Sequence, residues 1–465
     1  MKSHQAIAVL PGLLALSGCL SLAPDYQRPP APVPDTLPVS ASSSEAVTPL
    51  RWNDLVVSES LRNLIVLALA ENRDLQATAA NVRAAKARLV AARGDLFPSV
   101  DASLSSREAD TFESANSGNQ SFSDSTSASI GATAWELDFF GRIASNNAAA
   151  LQSYLSSSEG ERAAKLALVA TIGEAWLQLA ADKELLTLAE STVSSQSESL
   201  ELTRALLDAG AANELDVRRA SASVQTARAQ AAQYVALVRQ DLNLLRLLVG
   251  TDLPEGLAES ARLSPSPVSA GLGNSVSSDI LLSRPDVMAA EHDLMAANAR
   301  IGAARAAFFP AISLTGSTGY VSSDLTDLVG GDGIGGWSFG PNISVPIFDG
   351  GGRRGNLEAA NAARDAALAQ YESTIQSAFR ETADALAVSS TIGARLEALS
   401  QLVEDTDVSL SLSKERFSSG VDGYLSVLDA QRENYSSRQQ LIAARLDQGR
   451  NGIALFRALG SWDGE

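Results

Sequence analysis

The sequence predicts a mixed α and β fold written twice, in which very long helices connect short pairs of strands. Three observations carry that prediction. No proline falls between Pro98 and Pro254 or after Pro346, and chains that avoid helix breakers over such lengths form long helices. Several landmarks recur at a nearly constant offset. Between the predicted helices, apolar and small polar residues alternate with period two, the pattern of strands.

Composition narrows the classes of function. The chain has 465 residues, with 36 Lys plus Arg against 54 Asp plus Glu, a net charge of −18. That balance argues against a nucleic-acid partner, because binding a polyanion needs a basic patch. One Cys excludes an internal disulfide and a Cys-rich zinc site. Two histidines, His4 and His292, leave little for His-based catalysis or metal binding, and no cofactor is expected. At roughly 150 residues per domain the length allows two or three domains.

The N-terminus reads as a secretory signal over residues 1–18. Lys2 gives a weakly positive start and an apolar stretch runs from Ala6 to Leu16, too short for the ~20 residues that span a bilayer. Leu16-Ser17-Gly18-Cys19 resembles a bacterial lipoprotein lipobox. That resemblance implies cleavage before Cys19, acylation of Cys19, and outer-membrane sorting, since Leu20 follows where inner-membrane retention uses Asp. Cleavage would remove Lys2 and leave a net charge of −19. One lipidated residue anchors only modestly, so attachment needs a second contribution. Residues 19–50 form an extended arm, with seven prolines between Ala23 and Pro49. Beyond the signal no run of ~18 apolar residues occurs, and no transmembrane helix is expected.

The duplication follows. Phe97-Pro98-Ser99 recurs as Phe309-Pro310-Ala311, and Asp138-Phe139-Phe140-Gly141-Arg142 as Asp349-Gly350-Gly351-Gly352-Arg353. Gly210, Leu215 and Gly250 match Gly420, Leu425 and Gly460. A period near 210 residues exceeds the 20–50 of solenoid repeats and indicates a duplicated domain: repeat 1 over 51–253, a Pro/Ser/Gly-rich linker over 254–278, and repeat 2 over 279–465. Each copy reads helix, strand, loop, strand, very long helix, tight turn, long helix.

The long helix of the second copy runs from Arg353 to about Phe417, with a counterpart from Arg142 to about Ala209. At 1.5 Å per residue its length is on the order of 100 Å. Leu368, Tyr371, Ile375, Ala378, Thr382, Ala385, Ser389, Ile392, Leu396, Leu399, Val403, Thr406 and Leu410 follow alternating three- and four-residue steps, which is coiled-coil patterning.

The strands alternate. Val100, Ala102 and Leu104 oppose Ser99, Asp101, Ser103 and Ser105; Ile312, Leu314 and Tyr320 oppose Ser313, Thr315 and Ser317. Trp337, Phe339, Pro341, Ile343, Val345 and Ile347 share another face. The segment Ser127 to Asp138 is less regular: Ile130, Ala132 and Ala134 have one parity, and Trp135 and Leu137 the other. One apolar and one small-polar face over about ten residues is the pattern of a membrane β-strand, although an ordinary half-buried sheet shares it. If these strands enter lipid, four of them cannot close, because the smallest barrels have about eight. Copies must then combine, giving about 8, 12 or 16 strands from two, three or four chains. Aromatic residues near the strand ends, among them Phe97, Trp135, Phe309 and Trp337, suit interfacial girdles.

At this point the sequence resembles a known family. "APDYQRP" (Ala23 to Pro29), "AWELDFFGR" (Ala134 to Arg142), "RPDVMAAEHDLMAANARIGAARAAFFPAISL" (Arg284 to Leu314) and "GVDGYLSVLDAQR" (Gly420 to Arg432) resemble TolC-type outer-membrane factors. The match is to the lipid-anchored branch that serves RND-type multidrug pumps. The resemblance implies a homotrimer with a 12-stranded transmembrane β-barrel, four strands per chain, continued by a periplasmic α-helical coiled-coil barrel. It implies three partners besides the trimer mates: outer-membrane lipid, a periplasmic adaptor and an inner-membrane RND transporter. The function implied is a passive exit channel for drugs or other small toxic molecules. A type I protein-secretion duct on the same fold, and a non-spanning periplasmic coiled-coil scaffold, are the alternatives.

The resemblance also assigns a gate. In the family's motif the positions of Leu425 and Asp429 line the constriction and Arg432 sits one turn further. Their i, i+4, i+7 spacing gives them one helix face. Threefold symmetry would bring three Asp429 carboxylates together, where like charges repel and cations are attracted. The repeat offset sets Arg219 opposite Asp429, so a latch pairing Arg218 or Arg219 with Asp422 or Asp429 is expected. Three other motifs lead nowhere. Gly331 to Gly336 matches G-x-G-x-x-G but precedes a strand, Ser411-Leu412-Ser413-Lys414 lies in a helix without companion motifs, and His292 has no second His to form a metal pair.

Overall fold

The computed structural model describes residues 21–37, 51–107, 125–263, 278–322, 325–330 and 334–459. The expected signal segment, Cys19 and most of the expected linker lie outside them. Among the described residues, seven main helices and four strands form in chain order: α1 (Glu59–Glu71), α2 (Arg73–Gly94), β1 (Val100–Arg107), β2 (Ser125–Leu137), α3 (Arg142–Asp208), α4 (Glu214–Val249), α5 (Pro285–Ala306), β3 (Ala311–Ser322), β4 (Ile334–Ser344), α6 (Gly352–Ser418) and α7 (Tyr424–Leu459).

The helices match in pairs. Both α3 and α6 have 67 residues, α4 and α7 have 36, and α2 and α5 have 22. Their starts differ by 210 residues for the long pairs and 212 for the short one, as 142 against 352, 214 against 424, and 73 against 285. The chain nevertheless divides into two compact units that each draw on both copies. Unit 1 is Met1–Pro30, Asn81–Ser158 and Ala289–Tyr371; unit 2 is Ala31–Ala80, Glu159–Met288 and Glu372–Glu465.

Unit 1 holds the sheet, an antiparallel meander in the order β1-β2-β3-β4. The irregular parity read in β2 has a structural cause. Ala132 pairs with Gly316 and Trp135 with Leu314, so β2 uses one residue more than β3 between these pairs. This is a β-bulge, and Ala134 within it has φ 53°, a left-handed conformation costly for an L-residue with a side chain. The bulge returns Trp135 and Leu137 to the face of Ile130 and Ala132, which corrects the parity read from the sequence. Followed across the ladder, one face then carries Val100, Ala102, Leu104, Ile130, Trp135, Leu314, Tyr320, Trp337, Phe339 and Ile343. The opposite face carries Ser103, Ser129, Ser313, Thr315, Ser317, Ser338 and Asn342. Its hydroxyls pair across strands, Ser103 with Ser129 at 2.9 Å and Ser317 with Ser338 at 2.8 Å. β4 ends at Ser344, so Val345 and Ile347 lie beyond the strand expected to hold them.

The arm also meets unit 1. The Leu22 and Pro24 carbonyls accept from Arg305 and Asn298 of α5, at 3.1 and 2.7 Å. Arg28 then forms a two-bonded ion pair with the buried Glu291, at 2.7 Å for each bond, and the Tyr26 hydroxyl donates to the same carboxylate. Gly302 makes this approach possible, because a Cβ there would stand 2.8 Å from the Ala23 nitrogen.

Unit 2 has the main apolar core. Leu61, Leu64, Ile65 and Ala68 of α1 pack with Ile172, Trp176, Leu177 and Leu179 of α3 and with Leu245 and Val249 of α4. By length and composition α3 contains a window apolar enough to cross a membrane, but 56% of that window is buried, as a core helix requires. The single helix expected at the start of the first repeat is broken at Asn72. The Asn72 Oδ1 accepts from Leu75 N–H at 2.8 Å and caps α2, while its Nδ2 donates to the Leu248 carbonyl at 2.7 Å. The coiled-coil reading of α6 holds within one chain. Ile375, Ala378, Thr382, Ala385, Ile392 and Thr406 are buried, and of the thirteen seam positions Ser389 alone is exposed.

Candidate gate site

Two turns join the long helices of unit 2, and the backbone bonds that close them correspond. In the first, Gly210 N–H donates to the Leu207 carbonyl and Ala211 N–H to that of Leu206; in the second, Gly420 N–H donates to Phe417 and Val421 N–H to Arg416. Gly210 and Gly420 sit at φ 75° and 72°, the left-handed conformation that closes a helix C-terminus and that glycine adopts without a Cβ penalty. Asn213 then caps α4 through a 3.0 Å bond from Asp216 N–H.

A small apolar cluster joins the two turns. Leu200, Ala220, Val224, Phe417, Tyr424, Val427 and Leu428 are buried together, and the Phe417 and Tyr424 rings meet edge to face at 5.7 Å. Burial pushes the Tyr424 phenol up from its ordinary pKa, against the opposing charge of Arg432. The Tyr424 hydroxyl has no hydrogen-bond partner. Its role is packing. The sequence offered a signal for both rings, since they stand seven residues apart in continuation of the α6 heptads.

With Tyr424, Val427, Leu428 and Gln431 turned inward, Leu425, Asp429 and Arg432 occupy the exposed stripe of α7. Leu425 is 49% exposed, and the Asp429 and Arg432 side chains are about two-thirds exposed and stand 4.0 Å apart. The three expected gate residues therefore share one open face. Leu215, the counterpart of Leu425, is exposed in the same way.

The expected latch partners are engaged differently within the chain. Asp422 accepts two bonds from the Arg416 guanidinium, at 2.6 and 3.0 Å, and that guanidinium holds its carboxyl below the usual range. Arg218 pairs with Glu214 at 2.8 Å, one helical turn away. Arg219 is exposed and, among the described residues, has no ion pair in the chain. The physical reason is proximity. The turn that bonds Val421 N–H to Arg416 O brings the Asp422 carboxylate onto the Arg416 side chain. Arg416 escaped sequence reading because its partner is six residues away and reached only through a left-handed turn.

The motifs set aside keep ordinary surroundings. Lys414 donates to the Ser195 hydroxyl at 3.0 Å, and a His292 ring nitrogen meets Gln152 at 2.7 Å. Residues 331–333 lie outside the described residues. Among the described residues no group of three His, Cys, Asp or Glu side chains could hold a metal.

Comparison with known proteins adds the family. The model for the outer membrane efflux protein family matches residues 64–251 and again 276–461. The probable efflux pump outer membrane protein SepC of Pseudomonas putida is 43% identical, over 100% of this chain and 98% of its own. The solvent efflux pump outer membrane protein SrpC of Pseudomonas putida is 42% identical, over 96% of each chain. Among solved structures, the open state of the Neisseria gonorrhoeae MtrE outer membrane channel is 34% identical with a TM-score of 0.86, covering 95% of this chain and 98% of that one.

Proposed function

The chain belongs to the outer membrane efflux protein family, and from that premise, which makes it an outer-membrane efflux channel protein, we propose how it conducts. Three copies join their four-stranded sheets edge to edge into one 12-stranded barrel, and their helices line a periplasmic passage gated at the paired turns. The observation that carries this reading is the sheet itself. Its apolar face lies open, with Trp337 81% and Ile343 62% exposed, and its order leaves the outer edges of β1 and β4 unpaired. In lipid an open edge leaves backbone groups unsatisfied at several kcal/mol each, so a single chain cannot be the membrane form. The serine face turns inward to water, its hydroxyls already paired.

Conduction is passive and needs no cofactor. Energy comes from an inner-membrane RND transporter through a periplasmic adaptor, and the cargo is small toxic molecules, in keeping with the solvent efflux pump to which the relative SrpC belongs. Cys19 carries the lipid. In support, Leu22, three residues later, is bonded to Arg305, six residues before β3 begins, which brings the arm to the strand end of α5. At the gate, threefold symmetry gathers Leu425 into an apolar collar and Asp429 into a ring of carboxylates that favours cations. The latch of the closed state pairs the exposed Arg219 of one protomer with Asp429 of another, while Asp422 stays clamped by Arg416.

Planar-bilayer recording tests the gate. Replacing Asp429→Ser removes three carboxylates, and the expected result is a several-fold loss of cation preference with a changed conductance. Unaltered conductance and selectivity would take Asp429 out of the passage.

A further inference from the structure

The first repeat sets two acids at a place where the second repeat has none. Asp182 of α3 is 3% exposed, and the half-buried carboxyl of Asp241 on α4 lies close enough to feel its charge. The Asp241 Oδ2 is sealed from water and meets no N–H or O–H donor. Ionised carboxylates only accept hydrogen bonds, so a bond between these two exists only while one of them carries a proton.

The surroundings leave the pair uncompensated. Asp182 accepts from Gln178 Nε2 at 2.8 Å, and Gln178 in turn accepts from Arg450 of α7 at 2.7 Å, so the nearest cation on that side is one amide removed. Lys183, next along α3, directs its ammonium to the Ala258 and Ala261 carbonyls. The charged residues of α1, packed on α4, are Glu59, Arg62 and Glu71, and Arg62 donates to the Val56 carbonyl at 2.7 Å. Glu184 on α3, two residues beyond Asp182, accepts from Leu263 N–H at 3.1 Å, and Arg239 on α4 stands two residues before Asp241. The neighbouring charge that acts on Asp241 is Asp182.

The duplication supplies an internal control. At the offset of 210, Asp182 corresponds to Ile392 and Asp241 to Asn451, which are 8% and 9% exposed. An apolar side chain and an amide fill the same places in the same helix pair. Packing two helices of this length and register therefore does not require acids.

We propose that Asp182 and Asp241 share a proton that ties α3 to α4, and that losing it loosens this helix pair while its counterpart, α6 with α7, stays unchanged. Burial, followed by the charge of Asp182, pushes the Asp241 carboxyl up to about 7. The sign follows from linkage. A carboxyl whose folded pKa exceeds its unfolded value binds its proton more tightly when folded, so its contribution is full at acidic pH and is lost as pH rises through about 7.

The test uses the full-length protein in detergent, with thermal unfolding followed by helical circular dichroism from about pH 5 to about pH 8. The variants are Asp241→Asn and the double change Asp182→Ile with Asp241→Asn, which copies the second repeat. Relative to wild type, both should gain several degrees of melting temperature as pH rises across this range. A difference that stays constant with pH, or that shrinks, would overturn the proposal. Hydrogen exchange on the unmodified protein gives a second reading that no folding failure can obscure. After correction for intrinsic rates, opening around residues 178–186 and 237–245 should increase with pH relative to 388–396 and 447–455. A pH-independent ratio between the two repeats would equally overturn it.

Discussion

The two helix turns of unit 2 share a backbone and differ in nearly every side chain that matters. Equivalent N–H groups close both turns, with glycines at φ 75° and 72°. Around that common frame the first turn places Leu206, Ala212 and Arg219 where the second places Arg416, Asp422 and Asp429. The second turn is thus clamped by an ion pair and presents an acid, while the first is closed by apolar contact and presents a base. Duplication preserved what the main chain requires, namely a left-handed residue and satisfied carbonyls, and left the remaining positions free to diverge.

Two substitutions sharpen the comparison, the larger effect first. Phe417 is buried in the shared cluster, and its counterpart Leu207 is half-buried. Phe417→Ala should cost about 3 kcal/mol, whereas Leu207→Ala should cost about 1 kcal/mol. Thermal unfolding of the two variants checks the ratio, and equal losses would mean that the turns do not differ in packing. Smaller changes are expected from the shared backbone. Gly210→Ala and Gly420→Ala should each cost about 1 kcal/mol, because both glycines occupy the left-handed region with open space around them. Losses that differ between the two sites by more than the measurement error would break the claim of backbone equivalence.

The same contrast explains what could be read from the chain before its structure. Helix lengths, the repeat, the strand alternation and the exposed stripe of Leu425, Asp429 and Arg432 all follow from periodicity, which is local information. The features that escaped depend on a single backbone departure. At Ala134 one extra residue in β2 reversed the apparent parity of Trp135 and Leu137. At Asn72 one side chain, bonded to Leu248, divided an expected helix into α1 and α2. The Arg416–Asp422 clamp lies across a left-handed turn, and neither heptad spacing nor helix adjacency brings those residues together on paper. Offset arithmetic put Arg219 against Asp429, yet among the described residues the ion pair of Asp429 within the chain is with Arg432. The acid pair Asp182–Asp241 was equally invisible, because the two residues stand on different helices on either side of a turn and no motif marks their approach.

Native mass measurement of the full-length protein in detergent bears most directly on the account, since everything proposed for the membrane portion requires that β1 of one chain meet β4 of another. A species of three times the 48.5 kDa chain mass, retaining both helical and sheet signals, is the expected result. A stable monomer with the same helical and sheet content would contradict it, for the open edges of this sheet would then have needed no partner.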